Sequence, residues 1–115
     1  FWSCYLVITE ADATTLVGCV AIERVEDVAL LRMLAVAPDR RGEGLGYLLV
    51  ETAENKARSQ GVRQLYLVTD GAQGYFGEKL GFETIDRKDC DPALMTTVEY
   101  QMARSRAATW MRKTL

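Results

Sequence analysis

Gly42, Gly44 and Gly46 alternate along a short segment between a strand-like run and a helix-like run. Glycine at such a junction lets backbone N–H groups approach a ligand with no Cβ in the way. The first N–H groups of a helix lack an internal partner, and the helix dipole adds partial positive charge at the same end. The chemistry on offer is anion binding, and a pyrophosphate fits it. Arg40 and Arg41 add positive charge at the rim.

Three phosphate motifs compete for this turn. A P-loop needs a lysine and a hydroxyl residue directly after its second glycine, and neither follows in that register. A dinucleotide fingerprint started at Gly42 would place its third glycine at Tyr47, and one started at Gly44 would place it at Leu49. Both fail. The third pattern is Arg or Gln, two residues, Gly, one residue, then Gly or Ala. Arg41, Gly44 and Gly46 satisfy it.

The chain has 0 histidines, which removes Ser-His-Asp and Cys-His nucleophile chemistry. Cys4, Cys19 and Cys90 show no paired spacing, so neither a zinc site nor a disulfide framework is expected. Cys19 reads as a small core hydrophobe, and the cysteine pattern fits a reducing cytoplasm. With 115 residues, 49% of them hydrophobic, the expectation is one globular domain spanning residues 1–115. A net charge of −2 implies no nucleic-acid partner. No uninterrupted apolar run approaches the roughly 18 residues of a membrane span. Phe1 opens the chain inside an apolar pattern, which points to a missing or processed N-terminal segment.

The elements that must position the turn follow from periodicity. Tyr5–Thr9 and Leu16–Glu23 read as strands of a hairpin around the polar stretch Glu10–Thr15. After a turn at Val25–Asp27, Ala29–Val36 reads as a third strand, stopped by Pro38. Leu45, Leu48, Leu49, Ala53 and Ala57 then recur at helical spacing over Leu45–Gln60, with Glu51, Glu54, Lys56 and Arg58 mostly on the other face and Gly61 as the cap. Leu65–Thr69 is a strand. Ala72, Tyr75, Phe76 and Leu80 mark a short helix capped by Gly81, and Phe82–Asp86 is a further strand. Asp91–Leu94 opens like a short helix, and Thr97–Met102 and Thr109–Lys113 are the candidate final strands. The strand–helix–strand crossover from Leu30 to Thr69 makes its two strands parallel. The expected fold is therefore α/β (α+β): a mixed, mostly antiparallel sheet with one parallel pair and helices packed on it.

The segment from Val36 to Gly46 resembles the coenzyme A pyrophosphate turn of the GNAT acetyltransferase superfamily, and Lys79-Leu80-Gly81-Phe82 resembles that superfamily's second signature. Both stand in the right order and separation. Ala29–Arg32, Leu65–Leu67, Gly74–Phe76, Asp86-Arg87, Glu99-Tyr100 and Met111–Lys113 are similar to the arsenic-resistance acetyltransferases, which acetylate the amino group of phosphinothricin-like amino acids. The resemblance implies an acyl-CoA N-acyltransferase fold, acetyl-CoA as cofactor, and direct attack by a small amino-acid-like amine. It implies backbone pairing of Leu34, Ala35 and Val36 with the pantetheine arm. It also implies pyrophosphate contacts from Arg41, Gly42, Glu43, Gly44, Leu45 and Gly46, and a thioester end lined by Thr69, Tyr75 and Phe76.

Two departures matter. Many members carry a tyrosine that protonates the departing thiolate, and here Gly77 stands at that position. Tyr75, two residues earlier, would face elsewhere on the helix, which leaves Tyr75 or water as the acid. The N-terminal strand and helices that shape the acceptor pocket in the family are also absent, so a homodimer covering an open sheet face is expected.

Several residues carry two readings. Arg32 either pairs with an acid in the core or clamps a substrate carboxylate. Glu23 is either a surface strand charge or the proton acceptor. Tyr75 and Phe76 are core residues first and a cofactor edge second. Trp2 and Trp110 read as packing residues, and Arg104–Arg106 as a solvated turn. Two rivals to the enzyme stand: a non-catalytic acyl-CoA sensor, and a fragment active only when assembled with another chain.

Overall fold

The computed structural model describes residues 2–12, 14–97 and 108–115, with the backbone alone for residues 2–5. Strand β1 (Trp2–Thr9) and strand β2 (Leu16–Val25) form the antiparallel hairpin, registered from Trp2↔Arg24 to Thr9↔Leu16. Asp12 shapes its turn, its carboxylate accepting from the Thr14 and Thr15 N–H groups at 2.9 and 3.0 Å. These two backbone donors pull the Asp12 carboxyl down to about 2.

Strand β3 (Val28–Val36) follows a turn confined to Glu26 and Asp27, tighter than the sequence suggests. Glu26 adopts φ 58, as the two-residue hairpin requires. Helix α1 (Leu45–Ser59) leads to strand β4 (Gln64–Thr69), which runs parallel to β3 from Val28↔Gln64 to Leu31↔Leu67. Helix α2 (Gln73–Leu80) precedes strand β5, which covers only Glu83–Ile85. Strand β6 (Thr109–Thr114) inserts between β4 and β5, antiparallel to both. Among the described residues the sheet has six strands in the order β1-β2-β3-β4-β6-β5. The expected mixed sheet with one parallel pair is present. The opening at Asp91 is a 3-10 turn, Pro92–Thr96, capped by the Asp91 carboxylate on Ala93 N–H at 2.9 Å. The candidate strand Thr97–Met102 lies outside the described residues beyond Thr97, as do Phe1, Glu99-Tyr100, Arg104–Arg106 and the side chains of Trp2 and Cys4.

Alternation divides the core between the two faces of the sheet. On one face Val20, Ile22, Ala29, Leu31, Leu65, Leu67 and Met111 pack under Leu49, Val50, Ala53 and Ala57 of α1 and Phe76 and Leu80 of α2. On the other face Val28, Leu30, Tyr66 and Trp110 pack against Cys90 and Leu94. Trp110 is thus a packing residue. Of the two cysteines whose side chains are described, Cys90 is buried, whereas Cys19 is only half-buried.

The face of α1 differs from the periodicity reading. Leu48 is 48% exposed, while Glu54 is buried and belongs to the inward face. A carboxylate is tolerated there because Lys113 Nζ meets it at 2.9 Å and also donates to the Leu80 carbonyl at 2.9 Å. Lys113 thereby ties α1 to the carboxyl end of α2, where the helix dipole favours a cation.

Candidate active site

The ladder between β3 and β4 ends at Leu31↔Leu67, although β3 continues to Val36. The cause is visible in the pairing with β2. Ala21 faces Met33 and Ile22 faces Leu31, so Arg32 is an extra residue on β3. A bulge of this kind bends its strand and increases its twist. β3 keeps its pairs with β2 through Val36↔Gly18 and parts from β4. The bulge has no signal in the composition of Ala29–Val36, which reads as an unbroken strand.

The parting opens a groove of about 930 Å³. Leu34, Ala35 and Val36 form one wall, Arg41, Gly42, Gly44, Leu45 and Gly46 the end, and Tyr75 and Phe76 the other wall. With Arg40 at the rim, eleven of the residues singled out from the sequence therefore share one cavity. Gly44 caps α1 with φ 80 and no side-chain hydrogen bond, so the first N–H groups of a 15-residue helix open onto the groove. Gly42 has φ 86, and a Cβ on either glycine would meet nothing within 4 Å. The space in front of the turn is open, as an anion requires.

The remaining residues are placed differently. Glu43 turns from the groove to Arg40, whose Nε donates to it at 3.1 Å, and Arg40 Nη1 also pairs with Glu10. Both carboxylates raise the Arg40 pKa, with the Glu43 hydrogen bond the larger cause. Arg41 Nε donates to the Val36 carbonyl at 3.3 Å and closes the loop. Thr69 is off the groove wall, and its hydroxyl accepts from Ala72 N–H at 3.2 Å to start α2. Tyr75 faces the groove with Phe76, and it points away from the side of α2 that Gly77 occupies. It is Gly77 that faces inward, where a Cβ would meet the Phe82 carbonyl at 3.6 Å and Met111 Cε at 3.8 Å.

Tyr47, Ala72 and Lys79 also line the groove. Ala72, Tyr75, Phe76 and Lys79 follow the spacing of one helical face, so the signal for two of them was present in the sequence. Tyr47 carries no such signal.

Glu23 and Arg32 lie together outside this groove, Arg32 Nη1 standing 3.4 Å from Glu23 Oε1. Ile22 points under the helices, so Glu23 and its cross-strand partner Leu30 point to the opposite face, and Arg32 joins them there. Glu23 is 8% exposed and is no surface charge. Arg32 has found an acid, with 36% of its side chain still exposed.

A β-bulge, a parted parallel pair and a glycine turn at the end of the gap are found together in this chain. Residues 2–84 match the model of the acetyltransferase (GNAT) domain. The chain belongs to the GNAT acetyltransferases. An amino-acid acetyltransferase of Pseudomonas fluorescens is 32% identical to this GNAT chain over 88 residues, covering 75% of this chain and 20% of that protein. An uncharacterized N-acetyltransferase of Chlorobaculum tepidum is 34% identical over 73 residues, covering 63% of this chain and 46% of the relative. The chain therefore spans a fifth to about half of the length of these relatives. N-acetylglutamate synthase of Neisseria gonorrhoeae, solved with coenzyme A and N-acetyl-glutamate, shares the fold with TM-score 0.83 at 22% identity, over 96% of this GNAT chain and 25% of that one.

Proposed function

We propose that this GNAT domain moves an acetyl group from acetyl-CoA to the amine of a small amino-acid-like molecule. The observation that carries the proposal is the groove opened by the Arg32 bulge and closed at one end by the glycine turn. Its end would hold the pyrophosphate on the N–H groups of α1 and beside Arg41. Its β3 wall would pair with the pantetheine arm as an added strand does, through Leu34 and Ala35, the Val36 carbonyl being taken by Arg41. The thioester would reach the point where β3 and β4 part.

The amine nitrogen attacks the thioester carbonyl carbon, the C–N bond forms, the C–S bond breaks, and coenzyme A leaves as a thiolate that takes a proton from water. We assign the acceptor to the sheet face that carries Arg32 and Glu23. Arg32 offers a planar fork to a carboxylate, and Glu23 takes the proton from the amine. The named amino-acid acetyltransferase relatives support an amino-acid-like acceptor. The finer choice of a phosphinothricin-like amine rests on the sequence resemblance to the arsenic-resistance enzymes.

A free-thiol release assay with acetyl-CoA across a panel of amines, including glutamate and phosphinothricin, tests the function. Release dependent on one amino-acid-like amine supports it. Tight coenzyme A binding with no release for any amine favours the acyl-CoA sensor, which the glycine at position 77 already suggests. We carry a cytoplasmic location and a homodimer as part of the same proposal, the dimer supported by Val7 at 59% exposure on the outermost strand and Met33 at 52%. Light scattering near 12.9 kDa at micromolar concentration would remove the dimer.

A further inference from the structure

Tyr75 and Gly46 meet across the groove from separate helices. An ideal Cβ on Gly46 would lie 2.5 Å from the Tyr75 hydroxyl oxygen. No ordinary Cβ contact is that short, so the hydroxyl occupies space that only glycine leaves open at position 46. Gly46 is the second residue of α1, and Gly44 provides no side-chain cap. The hydroxyl therefore stands over the helix turn whose N–H groups have no intrahelical acceptor.

This location separates two roles for a tyrosine on α2. The thioester end of the groove lies where β3 leaves β4, at Arg32, and the glycine turn follows Val36. Four residues of strand separate them, about 13 Å at roughly 3.3 Å per residue. Tyr75 leans to the glycine-turn end. At the position where a thiolate-protonating tyrosine would stand, Gly77 faces the Phe82 carbonyl and Met111 beneath the helix.

We propose that the Tyr75 hydroxyl donates a hydrogen bond to the pyrophosphate of bound acetyl-CoA, completing from α2 the cradle that α1 begins. The inference rests on the acetyl-CoA reading above. It makes Tyr75 a cofactor-binding residue, with Gly46 present so that the hydroxyl can reach the phosphates. Tyr75 remains 41% exposed, so the incoming pyrophosphate reaches it without unfolding of the wall.

The test uses two acetyl donors. Acetyl-CoA carries the pyrophosphate, and S-acetylpantetheine carries the same thioester without it. Tyr75→Phe should lower kcat/KM for acetyl-CoA about tenfold, the worth of one hydrogen bond to a charged group, and leave S-acetylpantetheine unchanged. An equal fall with both donors would place Tyr75 at the sulfur and overturn the proposal. No fall with either would also overturn it.

Gly46→Ala supplies an independent arm. The added Cβ should displace the hydroxyl and weaken coenzyme A binding in the parent protein, with much less effect once Tyr75→Phe has removed the clash. Equal losses in the two backgrounds would contradict the contact. If the protein releases no thiol with any amine, the proposed function fails by itself. Calorimetric coenzyme A affinity then decides the contact: about tenfold weaker binding for Tyr75→Phe supports it, and unchanged binding overturns it.

Discussion

Glu23 and Arg32 form an ion pair, 3.4 Å between Oε1 and Nη1, on the face of the sheet opposite α1 and α2. Glu23 comes from a regular stretch of β2, and Arg32 is the residue that bulges β3. One residue thus shapes the groove through the backbone and presents a guanidinium to the other face through its side chain. Glu23→Gln preserves shape and removes the charge. If Glu23 takes the proton of the amine, kcat falls by roughly 10²–10⁴ while the KM for the acceptor changes little. That is the expected result. A raised KM for the acceptor with unchanged kcat would reduce Glu23 to the counter-ion that orients Arg32.

Lys113 and Glu54 give a stability prediction. The pair is 2.9 Å apart, with Glu54 side-chain exposure of 9% and Lys113 at 29%. Lys113→Met strands a buried carboxylate and also frees the last carbonyl of α2. We expect a loss of about 2–3 kcal/mol in urea unfolding, below the full cost for a wholly buried pair because Lys113 is partly exposed. Glu54→Leu combined with Lys113→Met should recover most of it, since two apolar groups then replace the pair. A double variant as unstable as the single one would show that Lys113 acts through the α2 carbonyl alone.

Cys90 is buried, and burial pushes its thiol from 9.0 up to about 12. The folded state holds the proton more tightly than the unfolded state. Its contribution to stability is therefore full below pH 9.0 and is lost as pH rises toward 12. Iodoacetamide at neutral pH should leave Cys90 unmodified in the native protein and label it after unfolding, while half-buried Cys19 reacts sooner. Mass spectrometry of the peptides decides this, and early labelling of Cys90 would show that its pocket opens in the native state.

Much of the frame is legible in the sequence because local signals agree with the global fold. β-branched and aromatic residues mark β1, the polar stretch Glu10–Thr15 separates it from β2, Pro38 stops β3, and Gly61 and Gly81 close the helices with φ 84 and φ 79. The glycine turn is legible for the same reason, since backbone conformation restricts its residue types. Other features depend on partners distant in sequence. Glu54 reads as a surface residue until Lys113 arrives from β6, and β5 pairs with β6, the last strand of the chain, not with β4. The Arg32 bulge depends on cross-strand register, which composition does not record. Tyr75 reaches the groove because α2 presents Ala72, Tyr75, Phe76 and Lys79 on one side, a spacing already present in the sequence.

Calorimetric titration of acetyl-CoA into Gly44→Asp and Gly44→Asn tests the central claim most directly. Gly44 has φ 80, a conformation both substitutes tolerate better than other residues, and neither Cβ meets a neighbour within 4 Å. The two side chains match in shape and differ in charge. The account predicts that Gly44→Asp binds acetyl-CoA at least about tenfold more weakly than Gly44→Asn, a difference of about 1.4 kcal/mol. Equal affinities in the two folded variants would contradict the placement of the pyrophosphate at the glycine turn.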